Sequence, residues 1–267
     1  MRIWSLGSGS RGNALVVGSG DRLVLVDCGF GPRALVTRLK AVGLVPEMIE
    51  ALLLTHEHQD HADGAAKAQH KWRWPVYASA GTHAALRDIP AKHRVVLQAG
   101  AAQTVGAFTV EATPVPHDAR EPMAFALTAT ASGARVGIAH DLGAVPPALE
   151  RLFARCDALC LEANHDGEML RHGPYPRALQ DRIRGGRGHI DNAESGALAR
   201  RLSHPGLKAL ALLHLSETNN TPSLAARSVN AVLGSSRVQA HPAAGRSAEL
   251  LFALEAATRT TQFSLAL

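Results

Sequence analysis

Short apolar runs separated by glycine, serine and asparagine open the chain. Ile3-Trp4, Ala14-Leu15-Val16-Val17 and Leu23-Val24-Leu25-Val26 are each bounded by turn formers, which predicts three strands joined by tight turns over residues 2–27. The period then lengthens. Pro32, the pair Leu35 and Leu39 one turn apart, and a closing Gly43 predict a helix over 32–42. Residues 49–54 and 76–78 read as strands. Between 105 and 115 the alternation of Phe108, Val110 and Ala112 predicts one half-buried strand. Further strands are expected at 123–128, 135–139, 158–161, 210–213 and 249–254, with a polar end after them. Val145, Leu149, Leu152 and Phe153 predict a helix over 144–154. Asp191 or Asn192 caps another helix with Leu198 and Leu202 on its buried face, and Thr221-Pro222 starts a further one. Strands followed by helices recur in both halves without a linker or low-complexity block, so an α/β fold in a single domain over 1–267 is expected.

Composition narrows the class. At 267 residues, 46% hydrophobic and 19% charged, the chain can bury a two-sheet core. No run of eighteen apolar residues suggests a membrane span. The first residues enter a strand at once, without the apolar core of a signal peptide, so a cytoplasmic protein is expected. Cys28, Cys156 and Cys160 are odd in number and lie in apolar strand-like surroundings, which favours core packing over disulfides or a metal pair. The glycine-rich turn Leu6–Asn13 leads into a strand rather than a helix, which excludes a dinucleotide fingerprint. His70, His83 and His93 read as surface residues. The formal charge is +5, and seven arginines against three acids between 171 and 201 place +4 in that stretch. Such a stretch favours an anionic partner, phosphates above all.

The chemistry concentrates at Leu52-Leu53-Leu54-Thr55-His56-Glu57-His58-Gln59-Asp60-His61. A buried strand delivers four potential ligands within six residues, ahead of an alanine-rich helix. His56 and His58 project together from the turn, while Asp60 and His61 fall where the helix begins and face a second point nearby. That arrangement suits two cations sharing one water.

Thr55–His61 resembles the signature of the metallo-β-lactamase superfamily, which implies a four-layer αββα sandwich of two mixed sheets with metals at one edge. Other segments resemble its YycJ/WalJ-like branch: Ser8-Gly9-Ser10-Arg11-Gly12-Asn13 (SGSxGN), Glu162–Asp166 (ES/ANxD), Gly188–Asn192 (GHxSN, with Asp191 where serine is usual) and His214–Asn220 (HLSxxNN). The resemblance implies hydrolysis of phosphodiesters in nucleic acid. It also implies a ligand set: His56, His58 and His117 for one metal, Asp60, His61 and His214 for the other, and Asp141 between them. Asp27 would hydrogen-bond the ligand loop without touching metal. His140 is expected to point away, and His165 to donate to a ligand at most.

On this reading Asp60 and His189 are the catalytic pair, with His189 giving a proton to the departing oxygen. Ser8, Asn164, Arg187, Ser216 and Asn219 are candidate substrate contacts. Two divalent cations are expected; imidazole-rich ligands suit zinc, and the carboxylates also accommodate manganese. The expected partner is DNA or RNA, with no membrane. Two alternatives use the same residues: hydrolysis of a small ester, thioester or lactone, and a metal-bound regulatory module without turnover.

Overall fold

The three opening runs form an antiparallel ribbon, β1 (Arg2–Gly7), β2 (Ala14–Ser19) and β3 (Arg22–Val26), in the computed structural model, which describes residues 1–234, 238–243 and 245–254. β4 (Ile49–Leu53), β5 (Val76–Ala78) and β6 (Arg94–Val96) then add in parallel. The crossovers carry α1 (Pro32–Ala41), then α2 (Gln59–Ala62) with α3 (Ala65–Trp72), then α4 (Ala80–Ala85). A second sheet begins as a meander, β7 (Ala102–Val105), β8 (Phe108–Pro114), β9 (Met123–Ala129) and β10 (Arg135–Ala139). It continues in parallel with β11 (Ala158–Glu162), β12 (Ala209–Leu213) and β13 (Ala240–Pro242). Its helices are α5 (Pro147–Phe153), α6 (Gly167–His172), α7 (Arg177–Arg184), α8 (Asn192–Arg201) and α9 (Pro222–Leu233). β14 (Glu249–Ala253) returns to the first sheet beside β1, completing two sheets of seven strands.

The layers follow from which faces are apolar. Ile3, Leu15, Val24 and Leu53 of the first sheet meet Phe108, Phe125, Ile138 and Leu213 of the second, forming the central core. The outer face of the first sheet packs Leu25 and Leu52 on Leu35 and Leu39 of α1 and Ala68 of α3. The outer face of the second packs Leu159 and Leu212 on Phe153, Leu198 and Val229. Strands buried on both faces read as unbroken apolar runs, which is why 23–26 and 210–213 lack alternation. This is the expected αββα sandwich. Among the described residues no helix is long and apolar enough to cross a membrane.

Several local expectations change. The half-buried strand predicted over 105–115 is found as β8, but it starts at Phe108: Val105 belongs to β7, and the chain turns at Gly106, whose φ of +57° suits glycine. β7 has four residues, of which Val105 alone is a buried apolar one, so no alternation announced it. The helix predicted from 144 starts at Pro147, because Pro146 and Pro147 hold the preceding backbone extended. β6 and β13, three residues each, carried too little pattern to be read. His83 is not a surface residue: it is buried, its Nε2 lying 3.0 Å from the Val95 carbonyl. All three cysteines are buried and free, and Cys156 and Cys160 belong to core clusters. The polar end after 254 lies outside the described residues.

Candidate metal centre

Every expected ligand sits just beyond a strand's C-terminal end, where the parallel strands of both sheets open a crevice. β4 leads into His56 and His58, and the first turn of α2 carries Asp60 and His61. β8, β10 and β12 deliver His117, Asp141 and His214. The ligand loop is fixed from below by backbone bonds: Cys28 N–H donates to the His61 carbonyl at 2.7 Å, and Asn13 N–H to the Asp60 carbonyl at 2.7 Å. Gly29 permits this approach, since a Cβ there would overlap the Asp60 carbonyl. His214 has φ +54° and Asp27 φ +61°, left-handed conformations that cost a non-glycine residue about 1–2 kcal/mol and here aim both side chains at the site.

The seven side chains converge in two overlapping groups. In the first, Asp141 Oδ2 lies 3.4 Å from both His56 Nε2 and His117 Nε2, and His117 Nε2 lies 3.2 Å from His58 Nδ1. In the second, Asp60 Oδ2 lies 3.4 Å from His61 Nε2 and 3.2 Å from His214 Nε2, while His61 Nε2 is 3.3 Å from Asp141 Oδ2. Four atoms held tetrahedrally at zinc-like bond lengths are about 3.3 Å apart, so these separations match the edges of a coordination shell. His56 Nε2 is buried and has no hydrogen-bond partner. The donor set and its spacing therefore fit divalent metal.

Electrostatics agree. Burial alone would raise the carboxyls of Asp27, Asp60 and Asp141, yet the surrounding imidazoles outweigh it and hold all three well below the usual range. Burial pushes His56 down to about 4, which keeps its ring neutral and free to ligate. Burial disfavours charge on His61 and His214 too, but Asp141 and its neighbours raise both well above the ordinary value. A buried cluster of carboxylates thus calls for positive charge at its centre.

The supporting polar groups explain how the rings are oriented. Asp27 accepts from Thr55 N–H at 2.8 Å and from Thr55 Oγ1, and its Oδ2 lies 2.8 Å from His61 Nδ1, leaving His61 Nε2 to face the centre. His140, expected to point away, has Nδ1 2.7 Å from the same carboxylate and its ring 5.3 Å from that of His61, so it joins Asp27 behind that ring. His165 is buried and belongs to none of the convergent groups. On the opposite side lies Glu162, fully buried at the end of β11, which the sequence placed in the Glu162–Asp166 motif without a role of its own. It accepts from the Leu142 and Ile190 amides at 2.9 and 3.2 Å, and its Oε1 is 2.6 Å from His189 Nδ1 and 3.2 Å from His214 Nδ1. The available signals were its place at the head of that motif and at the end of an apolar strand. Burial opposes charge on His189, and Glu162 outweighs it, raising the pKa of that ring.

The expected substrate contacts are placed differently from the ligands. Ser8 Oγ accepts the His214 amide at 2.7 Å, Asn164 Nδ2 donates to the His214 carbonyl at 3.0 Å, and Arg187 donates twice to the His117 carbonyl. Ser216 Oγ accepts two amides of its own turn, and the Asn219 side chain is buried. The structure does not bring these five together on an open surface. Instead a cleft of about 370 Å³ over the ligands is lined by Ser10, Asp118, Tyr175, Leu179, Arg182, Ile183 and His189. The basic stretch is also largely occupied: Arg182 pairs with Asp118, Arg184 with Asp181 and Arg201 with Glu150.

Comparison with known proteins agrees with this architecture. A family model described as the beta-lactamase superfamily domain matches residues 22–215. The chain is 34% identical over 232 residues to the exodeoxyribonuclease YycJ of Bacillus anthracis, covering 85% of this chain and 87% of that one. It is 29% identical over 226 residues to the exodeoxyribonuclease WalJ of Streptococcus pneumoniae, covering 82% and 83% respectively. The crystal structure of the metallo-beta-lactamase fold protein YhfI from Bacillus subtilis superposes with a TM-score of 0.71 at 19% identity, over 94% of this chain and 100% of that one, a likeness of fold. The chain therefore belongs to the metallo-β-lactamase superfamily, in its YycJ-like branch.

Proposed function

We propose that this protein is a metal-dependent phosphodiesterase, a nuclease acting on DNA. The observation that carries the reading is the convergence of five imidazoles and two aspartates at ligand-to-ligand spacing beneath an open cleft. The names of the two relatives that align over most of the chain support a polynucleotide substrate. His56, His58 and His117 would hold one cation, Asp60, His61 and His214 a second, and Asp141 would reach both. Zinc suits the imidazole-rich set. When bound, such cations supply Lewis acidity that makes water nucleophilic near neutral pH and offsets charge on the phosphoryl group.

The chain's own residues complete the chemistry. Asp60, its side chain 23% exposed, lines the cleft and positions the attacking water beside the phosphorus. His189 lines the same cleft, and Glu162 on its Nδ1 leaves Nε2 as the atom that gives a proton to the departing oxygen. Ser8, Asn164 and Arg187 act through the backbones of His214 and His117, keeping those ligands in place. Arg182 is the cleft's cation for a neighbouring phosphate, shared with Asp118.

The test is direct. Purified protein is incubated with end-labelled single- and double-stranded DNA and with RNA, with and without chelator. DNA cleavage abolished by chelator is expected, together with loss of activity and of at least half the bound metal in His58→Ala. Absence of metal-dependent cleavage on every polymer would overturn the reading.

A further inference from the structure

One wall of the metal cleft is built from unusual material. Of the eight residues of α7 only Gln180 is buried, and the sequence is otherwise mostly arginine and aspartate. Its two large apolar residues, Leu179 and Ile183, lie one turn apart on one face, and Tyr175 stands just before the helix, ahead of its N-cap Pro176. Such a stripe ordinarily seeks the core. Here all three side chains line the cleft together with His58, Asp60 and His214, and Leu179 remains 36% exposed. The wall is held in that position: Ile183 O accepts the His189 amide at 2.8 Å, Tyr175 O accepts from Gln180 Nε2 at 2.9 Å, and Arg182 is bound to Asp118 at 2.9 Å. A positioned apolar face opposite a phosphate-binding centre matches a ligand that is apolar on one side and anionic on the other.

We propose that Tyr175, Leu179 and Ile183 form the seat of one nucleobase, that of the nucleotide whose phosphate lies over the metal centre. This rests on the phosphodiesterase reading above. Every base has a flat, polarisable face, so an aromatic and two aliphatic side chains hold it without reading its sequence. Arg182, on the same helix, supplies the charge complement for the adjoining phosphate. A cleft of about 370 Å³ suits a single nucleotide unit rather than a duplex end. A base in this seat has left its stack and its partner, so the enzyme takes its target nucleotide unpaired.

The experiment measures binding rather than turnover. Fluorescence anisotropy follows the as-purified protein with short single-stranded thymidine oligonucleotides whose linkages are protected as phosphorothioates, intact or carrying abasic terminal nucleotides. Removing the terminal bases should weaken binding about fivefold or more in the wild type. The penalty should vanish in Leu179→Ser and Tyr175→Ala, and return in Tyr175→Phe, which keeps the ring. Leu179 is exposed, so that variant folds. An undiminished penalty in both variants, or none in the wild type, overturns the seat while leaving the nuclease reading intact. No binding of any oligonucleotide overturns the nuclease reading, and the seat with it.

Discussion

Asp27 offers the sharpest test of how the metal centre is held. It is fully buried, and among the described residues no other carboxylate lies against both the ligand loop and His140. The substitution Asp27→Asn preserves shape and tolerates the left-handed backbone, since asparagine adopts φ near +60° readily. It removes the charge and turns one oxygen into a donor. The Thr55 amide can keep its partner, but the new NH2 then faces His61 Nδ1 and His140 Nδ1, the contacts made by Oδ2. Breaking a buried charged pair of this kind costs about 3–5 kcal/mol. For a domain of this size that lowers Tm by roughly 6–20 °C. His61 also loses the acceptor that fixes its proton on Nδ1, so its metal affinity should fall about 10- to 100-fold. Calorimetry of the metal-stripped protein measures the first effect, and competition with a chelating dye the second. The Asp27 carboxyl is held below its ordinary value near 3.9. The stability it contributes is therefore complete above that pH and lost as pH falls through the depressed folded value. The variant lacks this acid-labile part. A folded, destabilised variant that binds metal with wild-type affinity would refute the orienting role.

Other consequences can be checked separately. Gly29→Ala places a methyl group against the Asp60 carbonyl, with Asn13 N behind it, so a loss of about 3 kcal/mol or more and a displaced Asp60 are expected in denaturant titration and metal analysis. His189→Ala should lower kcat by about 10²- to 10⁴-fold with little change in KM or bound metal, and Glu162→Gln should follow in the same direction; equal loss of metal in His189→Ala would make it a ligand rather than a proton donor. His83, held neutral by burial with Arg94 adding to the effect, contributes stability that is present above about 6.5 and lost as pH falls. The Tm advantage of wild type over His83→Gln should therefore narrow on acidification; a constant difference across pH would contradict the buried placement.

The fold was legible wherever burial on both faces produced long apolar runs. β3, β4, β11 and β12 announce themselves, and each ends at a residue of the site or its support. The short ligand motif was legible because its four residues are local in sequence. His117, Asp141 and His214 were not readable from spacing alone, since what unites them is the common edge of two sheets; the resemblance supplied them. Glu162 was noted at the head of a motif but given no role, because a glutamate closing a strand looks like a solvated end until the loop carrying His189 is folded over it. Ser8, Asn164 and Arg187 were recognised as positions of interest with a different role in view. A polar side chain in a motif can face the ligand or the backbone that presents another ligand, and sequence does not separate the two.

The supporting carboxylates reveal a division of labour between the sheets. Asp27 follows β3 in the first sheet and braces His61; Glu162 ends β11 in the second and braces His214 and His189. Each is fully buried, each accepts at least one backbone amide, and each lies against two imidazoles. The two sheets could slide relative to each other at little cost to an apolar interface, which is not directional. They cannot slide without separating Asp141 from His61, His140 from Asp27 and His214 from Asp60, the contacts that cross from one sheet to the other. The candidate metal centre is therefore a directional clasp across a non-directional core, and stripping bound metal should loosen the seam between the sheets before it loosens either sheet alone. Hydrogen exchange localises that opening: amides at the C-terminal ends of β4, β10 and β12 should lose protection on chelation while β2 and β9 keep theirs. Uniform loss throughout both sheets would mean that the core, and not the clasp, fixes their register.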